Sequence, residues 1–445
     1  MANVVGKVLL ISYWFPPRAP EFAGKWAEGL AKYLPEFGWE PLVLTAKLPK
    51  QPNRRYHVVE TPYHDSPFFY FFKKLFGIRS EQTLLMYIAE LKKKFRITSA
   101  TSLLDVILKL GGEIIAYPDV QRAWRSPAVK VAGDLLKTSS VDAVLSISPP
   151  VTAHLIAADL KEKYGVPWVG HFQDLWSQNP YYPYRSLRRR LDQKLEIRTM
   201  ACADTLVTIS PPHAEKLSRL HGKKPVHTIT GGFDPGRFVI PHPQPSAKFT
   251  ITYTGNIYPG KQSPEPLFKA LVELISEGVI NRKDVEVRFY GSYLMWVQQQ
   301  IDFYHLKDIA KQLGILTWQA SIEKQSESQL LLLLDWTDPD EQGVYTGKVF
   351  QYLASRRPIL AVGGSRNDVV GKLLEETKAG VHCLDVKEIK SFLKQAYREY
   401  REQGQVNYCG NKRKIMNYSY REVAHGFSEL LSQLVPSHTK VNLNL

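Results

Sequence analysis

Cysteine is scarce. Cys202, Cys383 and Cys409 are the only three in 445 residues, and they lie far apart. None forms a Cys-x-x-Cys pair or has histidine neighbours at metal-ligand spacing. A disulfide framework and a structural zinc site are therefore not expected, and a reducing compartment is. Long apolar runs are missing too: no stretch reaches the ~18–20 residues of a membrane-spanning helix. The opening "MANVVGKVLLISYW" has no basic segment followed by a small-residue cleavage site, so it reads as a first strand and not as an export signal. Without a GxGxxG segment, a nicotinamide or flavin dinucleotide is unsupported. No zinc finger, repeat or RNA-binding signature is present, so nucleic acid is not an expected partner. The net charge of +15 is left to be explained by an anionic membrane face or a phosphorylated small molecule.

What is present is an alternation of apolar strands and helical patterns, which predicts an α/β fold with parallel sheets. "KVLLIS" leads through a loop to a helix from about Phe22 to Phe37, then to "PLVLTA". "DAVLSIS", "PWVGHF", "TLVTIS" and "HTIT" follow. Three prolines in "PHPQPSAKF" (241–249) make a stiff connector, after which the rhythm restarts with "FTITYTG", "VEVRFYG", "QLLLLLDW", "RPILAVGG" and "GVHCL". At this length two cores are expected, and the reading is two α/β domains, 1–240 and 250–445, with a last amphipathic helix over about 418–434. Between Tyr56 and Asp119 the alternation fails. "SPFFYFFKKLFGIRS" and "LKKKFRI" mix aromatics with lysines, as a membrane-surface element does and as an inserted helical pair packed on the first domain also does.

The candidate site residues follow strands, where an open parallel sheet builds its ligand crevice. After strand one, Gly24 and Lys25 open a helix; a glycine there admits a phosphate to backbone N–H groups, or simply makes a turn. In "LSISPPVTAHLIAADL", Ser148 is positioned as an N-cap, and His154 lies about one turn into the helix. "GHFQDLW" places His171, Gln173 and Asp174 beside Trp176, an arrangement suited to sugar, although Asp174 equally suits a helix cap. In the second half, Lys261 sits on the loop after "FTITY", and Gly347 and Lys348 open the helix of "YTGKVFQYL". Each lysine is either a phosphate ligand or a solvated side chain.

Taken in order, these segments resemble the retaining glycosyltransferases of the family 4 type. The likeness rests on "AGKWAEGLAKYLPEFGWEPLVLTA", "SISPPVTAHLIAADLKEKYGVPWVGHFQDLW", "YTGNIYPGKQSPEPLFKAL" and, most specifically, "DWTDPDEQGVYTGKVFQYLASRRPILAVGG". It implies the GT-B architecture: two facing Rossmann-like domains with parallel sheets and a cleft between them. It also implies a nucleotide-diphosphate sugar donor held mainly by the second domain, and transfer to a hydroxyl with retention, without a cofactor or metal. On that resemblance Lys261, Lys348, Gly347 and Gly24 bind the donor diphosphate. Gln351, Glu341 and Asn256 bind its ribose and sugar, and Asp174 and His154 are the catalytic candidates.

The chain departs from the family pattern where the basic pair of the second domain falls on Asn256 and Lys261. It departs again where two glutamates spaced eight apart fall on Gly343 and Gln351. Gln351 keeps hydrogen-bonding capacity for ribose hydroxyls but no charge, and Glu341 is the nearest acid to the position of the missing one. The expected function is a hexosyltransferase acting on a glycan or lipid-linked acceptor in surface polysaccharide or glycolipid synthesis. Its expected location is cytoplasmic, peripheral on the inner face of the membrane. The competing readings are a nucleotide-sugar epimerase on the same scaffold and a non-catalytic binding subunit.

Overall fold

The computed structural model describes residues 6–18, 24–63, 117–182, 184, 186–237, 245–338 and 341–435. Most of the aromatic and basic stretch, including Lys73, Lys74 and Lys92 to Lys94, lies outside the described residues. So does the first half of the proline-rich connector.

The chain packs as two units. The first contains β1 (Gly6–Ile11), α1 (Lys25–Tyr33), β2 (Trp39–Ala46), β3 (His57–Thr61), α2 (Arg125–Thr138), β4 (Ala143–Ser148) and α3 (Thr152–Tyr164). It continues with β5 (Trp168–Phe172), α4 (Ser186–Met200), β6 (Thr205–Thr208), α5 (Pro211–His221) and β7 (Val226–Thr228). All seven strands pair in parallel, in the order β3-β2-β1-β4-β5-β6-β7. The helix expected from about Phe22 begins at Lys25, and its last part tightens into a 3₁₀ turn, Leu34–Phe37, closed by Gly38 at φ 82°. β3 occupies the head of the stretch where alternation was expected to fail.

The second unit contains β8 (Phe249–Thr254), α6 (Glu265–Ser276), β9 (Val285–Tyr290), α7 (Met295–Phe303), β10 (Ala310–Gly314), α8 (Trp318–Ser326) and β11 (Leu330–Leu334). There follow α9 (Gly347–Ser355), β12 (Ile359–Val362), α10 (Val369–Thr377), β13 (Gly380–Cys383), α11 (Val386–Gln403), α12 (Lys412–Met416) and α13 (Tyr420–Leu434). Its six strands run in the order β10-β9-β8-β11-β12-β13, again all parallel. β11 shows why the sequence takes this form. Its five leucines are fully buried, with Leu330, Leu332 and Leu334 in one core and Leu331 and Leu333 in another. A strand's side chains alternate between faces, so a run apolar at every position needs helices on both sides.

Two segments depart from a simple division by sequence. Ile209–His213 packs with the second unit, and the chain from Phe427 onward packs with the first. Trp39, wholly buried, donates its Nε1–H to Ser432 Oγ (3.3 Å), and Phe427 lies against the His171 ring at 5.2 Å. In both sheets the strand order reverses once, between β1 and β4 and between β8 and β11. Ligands of open α/β sheets bind outside the carboxyl ends of strands at such switch points. Among the described residues no helix is long and apolar enough to cross a membrane.

Candidate functional site

In the second unit, the carboxyl end of β8 and the first turn of α9 meet at the switch point. Tyr352 of α9 is fully buried, and its Oη accepts the Thr254 N–H at 3.0 Å, tying helix to strand end. The next residue, Gly255, has φ 110°, and a Cβ there would collide with Lys348 Cε. The glycine thus serves twice: it adopts a backbone region that L side chains avoid, and it lets the lysine stem cross the strand end. Lys348 Nζ donates to Asn256 O (3.3 Å) and lies 5.2 Å from the centre of the Tyr253 ring. It makes no ion pair among the described residues. Burial of its ammonium pushes its pKa down to about 8. Beside it, a Cβ added to Gly347 would meet nothing within 4 Å. The first turn of α9 is thus open at a helix end whose N–H groups lack intrahelical partners.

The other donor-side candidates are not equivalent. Lys261 Nζ is paired with Asp338 Oδ2 at 2.7 Å, and its carbonyl accepts from Thr337 N–H at 2.9 Å. An anion binding there competes with Asp338, whereas Lys348 has no carboxylate partner among the described residues. Asn256 is exposed, with Oδ1 accepting from Ser292 Oγ (3.1 Å). Gln351 lies half-buried in the same helix as Lys348. Glu341 is buried and turned inward: Oε1 lies 3.2 Å from His213 Nε2 and accepts the Gly343 N–H at 3.2 Å.

That cluster explains the missing acid at position 343. Ser210 Oγ donates to Gly343 O (2.7 Å), and a Cβ on Gly343 would lie 2.5 Å from the His213 ring and 3.1 Å from Pro212. No carboxylate side chain fits. Ser210 and His213 were not singled out from the sequence, where "ISPPH" reads as one more strand end; Tyr352 was read only as a core residue.

In the first unit the sequence candidates separate by burial. His154 is wholly buried, with Nδ1 2.8 Å from Ser146 Oγ and Nε2 2.9 Å from Ser148 Oγ. Trp168 Nε1–H donates to the same Ser146 hydroxyl at 2.7 Å. Burial, reinforced by His221, pushes the pKa of His154 down to about 3. A neutral imidazole with both nitrogens engaged by serine hydroxyls ties the first turn of α3 to the end of β4. His171 is equally buried, and its ring packs on Trp26 at 4.5 Å. Neither of its nitrogens has a hydrogen-bond partner among the described residues, and burial with the nearby His154 pushes its pKa down to about 3. Asp174, just past β5, is exposed. Gly24 is the buried N-cap of α1, its carbonyl accepting Glu28 N–H at 3.0 Å.

Residues 23–232 match the family model of the glycosyl transferase 4-like domain. No curated protein sequence matches the chain. Solved structures resemble it along nearly its whole length. Sucrose-phosphate synthase from Thermosynechococcus elongatus is 13% identical with TM-score 0.62, covering 96% of this chain and 99% of that one. HepE from Anabaena, solved in complex with UDP, is 12% identical with TM-score 0.60, covering 96% and 100%. A glycosyltransferase from Rickettsia africae is 12% identical with TM-score 0.55, covering 98% and 100%. Identities this low carry the fold alone. The family match spans α1 to β7 of the first unit, residues 23–232 of 445, and makes that segment similar to the glycosyl transferase 4-like domain; the two parallel sheets are those of the GT-B fold.

Proposed function

We propose that the second unit binds a nucleotide-diphosphate sugar with its diphosphate on the first turn of α9. In this reading Gly347 admits a phosphate oxygen to the backbone N–H groups, and Lys348 supplies the charge. The single observation that carries it is Lys348, a half-buried ammonium without a carboxylate partner among the described residues, at an open helix N-terminus. An anion there gains from both the helix dipole and the lysine. Such a clamp also stabilises the negative charge that develops on a diphosphate leaving group. HepE, whose structure holds UDP, supports a nucleoside diphosphate as the ligand class. Gln351 and Asn256 offer neutral hydrogen bonds to ribose or sugar, and Lys261 joins the clamp when the ligand displaces Asp338. Asp174, exposed at the end of β5, is assigned to the acceptor hydroxyl; His154 becomes a positioning residue through its ring contact with Phe172 at 4.6 Å.

The acceptor is a glycan or lipid-linked glycan of a surface polysaccharide or glycolipid, met at an anionic membrane surface. The net charge of +15 and the lysine-aromatic stretch support that placement. A thermal-shift panel of free nucleotides and nucleotide sugars tests the donor reading. The expected result is a selective rise in melting temperature with one base and sugar in the wild type, absent in Lys348→Ala. A shift of equal size in that variant, or none with any nucleotide in the wild type, overturns it.

A further inference from the structure

Three strand ends of the second unit converge on a group of ligating side chains that the donor site does not use. Asp335 follows β11, Asp368 caps α10 after β12, and His382 lies within β13. Each offers one atom, and these atoms lie within 4.8 Å of one another. His382 Nε2 is 3.5 Å from Asp335 Oδ2 and 3.7 Å from Asp368 Oδ2. Metal–ligand bonds of about 2.0–2.2 Å at tetrahedral angles put neighbouring ligands roughly 3.3–3.6 Å apart. The spacing already approaches what one cation requires.

The individual bonds show which atoms of the cluster are already engaged. Asp335 Oδ1 accepts Trp336 N–H at 2.8 Å, and Asp368 Oδ1 accepts Gly371 N–H at 2.8 Å. Asp368 Oδ2 accepts Ser365 N–H at 2.8 Å, and His382 Nε2 lies 2.6 Å from Gly363 O. Asp335 Oδ2 is left over. Its residue is only 2% exposed, and that oxygen has no hydrogen-bond partner among the described residues. A buried carboxylate oxygen without a donor is costly, and a second carboxylate beside it makes it costlier. Burial and Asp368 together hold the Asp335 carboxyl well above the usual carboxylate range.

The space the three atoms share is marked by Gly364, at φ 75°. A Cβ built there would lie 2.7 Å from Asp335 Oδ2, 2.9 Å from His382 Nε2, and closer still to Asp368 Oδ2. The glycine leaves that point vacant.

The geometry points to a divalent-cation site, with Asp335 Oδ2, Asp368 Oδ2 and His382 Nε2 as ligands. One imidazole and two carboxylates suit Zn²⁺ or Mn²⁺ and not Ca²⁺ or Mg²⁺. In the loaded state the His382 proton moves to Nδ1, freeing Nε2, and Gly363 O becomes the nearest further oxygen. The cation's role is structural: it ties the carboxyl ends of β11, β12 and β13. It is separate from sugar transfer, and no step of that reaction is routed through it.

The test uses the full chain after chelator treatment. Zn²⁺ is titrated calorimetrically, and Co²⁺ is followed by its visible absorption. The wild type is expected to take up one equivalent of Zn²⁺, to show the intense Co²⁺ bands of a tetrahedral site, and to melt at higher temperature once loaded. Asp335→Asn and His382→Gln should each weaken binding at least tenfold and abolish the thermal response. No stoichiometric uptake by the wild type overturns the site, as does unchanged uptake in the two variants.

Discussion

The Lys348 ammonium stands on aromatic rings and a backbone carbonyl. A pKa lowered to about 8 makes its charge titratable near neutrality. Below that pH the group is protonated and attracts a diphosphate; above it the attraction fades, while the diphosphate keeps its charge. Affinity for a nucleoside diphosphate should therefore fall between pH 7 and pH 9.5, and Lys348→Arg, charged throughout, should flatten that dependence. Lys348→Ala should cost about 1.5–3 kcal/mol at pH 7, roughly ten- to a hundredfold in affinity. Calorimetric titrations at the two pH values read both effects, and an unchanged pH dependence in Lys348→Arg would count against the lysine.

At the scale of elements, β4, α3 and β5 form a dry layer around two histidines. Their native pKa values of about 3 lie below the ordinary 6.5. Between those values the unfolded chain binds more protons than the folded one, so their contribution is present above pH 6.5 and is lost as pH falls toward 3. Each steepens the loss by up to about 1.4 kcal/mol per pH unit inside that window. Urea midpoints at pH 7.5 and pH 5 should show this, with the drop smaller in His171→Phe, whose ring keeps the contact with Trp26. An identical drop would mean that His171 does not titrate on unfolding. The sequence made these strands legible: continuous apolar runs ending in serine or histidine announced a doubly covered parallel sheet. It also held a neglected hint about His154, because Thr152 through Ala158 is buried all round, as a helix apolar on every side should be. The pairing of His213 with Glu341, and of Asp335 and Asp368 with His382, was not legible. Those partners are joined by the order of strands in a sheet, which periodicity along one chain does not encode. Gly343 shows the same limit. It read as a lost acid, and only the packed "SPPH" segment supplies the steric reason.

For the molecule as a whole, the two α/β units and the basic surplus were the most legible features, since they need only counting and period. The surplus has a measurable consequence. Anionic vesicles should bind the chain at low salt, and charge reversal at Lys73, Lys74, Lys92, Lys93 and Lys94 should weaken binding at least tenfold, at about 1 kcal/mol per lysine at the surface. Unchanged sedimentation with vesicles removes the membrane from the proposal. The interleaving of the units has another kind of consequence. The first unit takes its last piece from beyond Phe427, and the second takes Ile209–His213 from before β7. No single breakpoint between the units leaves either one whole, so a cut at the proline-rich connector would leave the first unit without Phe427 against His171 and without Ser432 on the Trp39 indole.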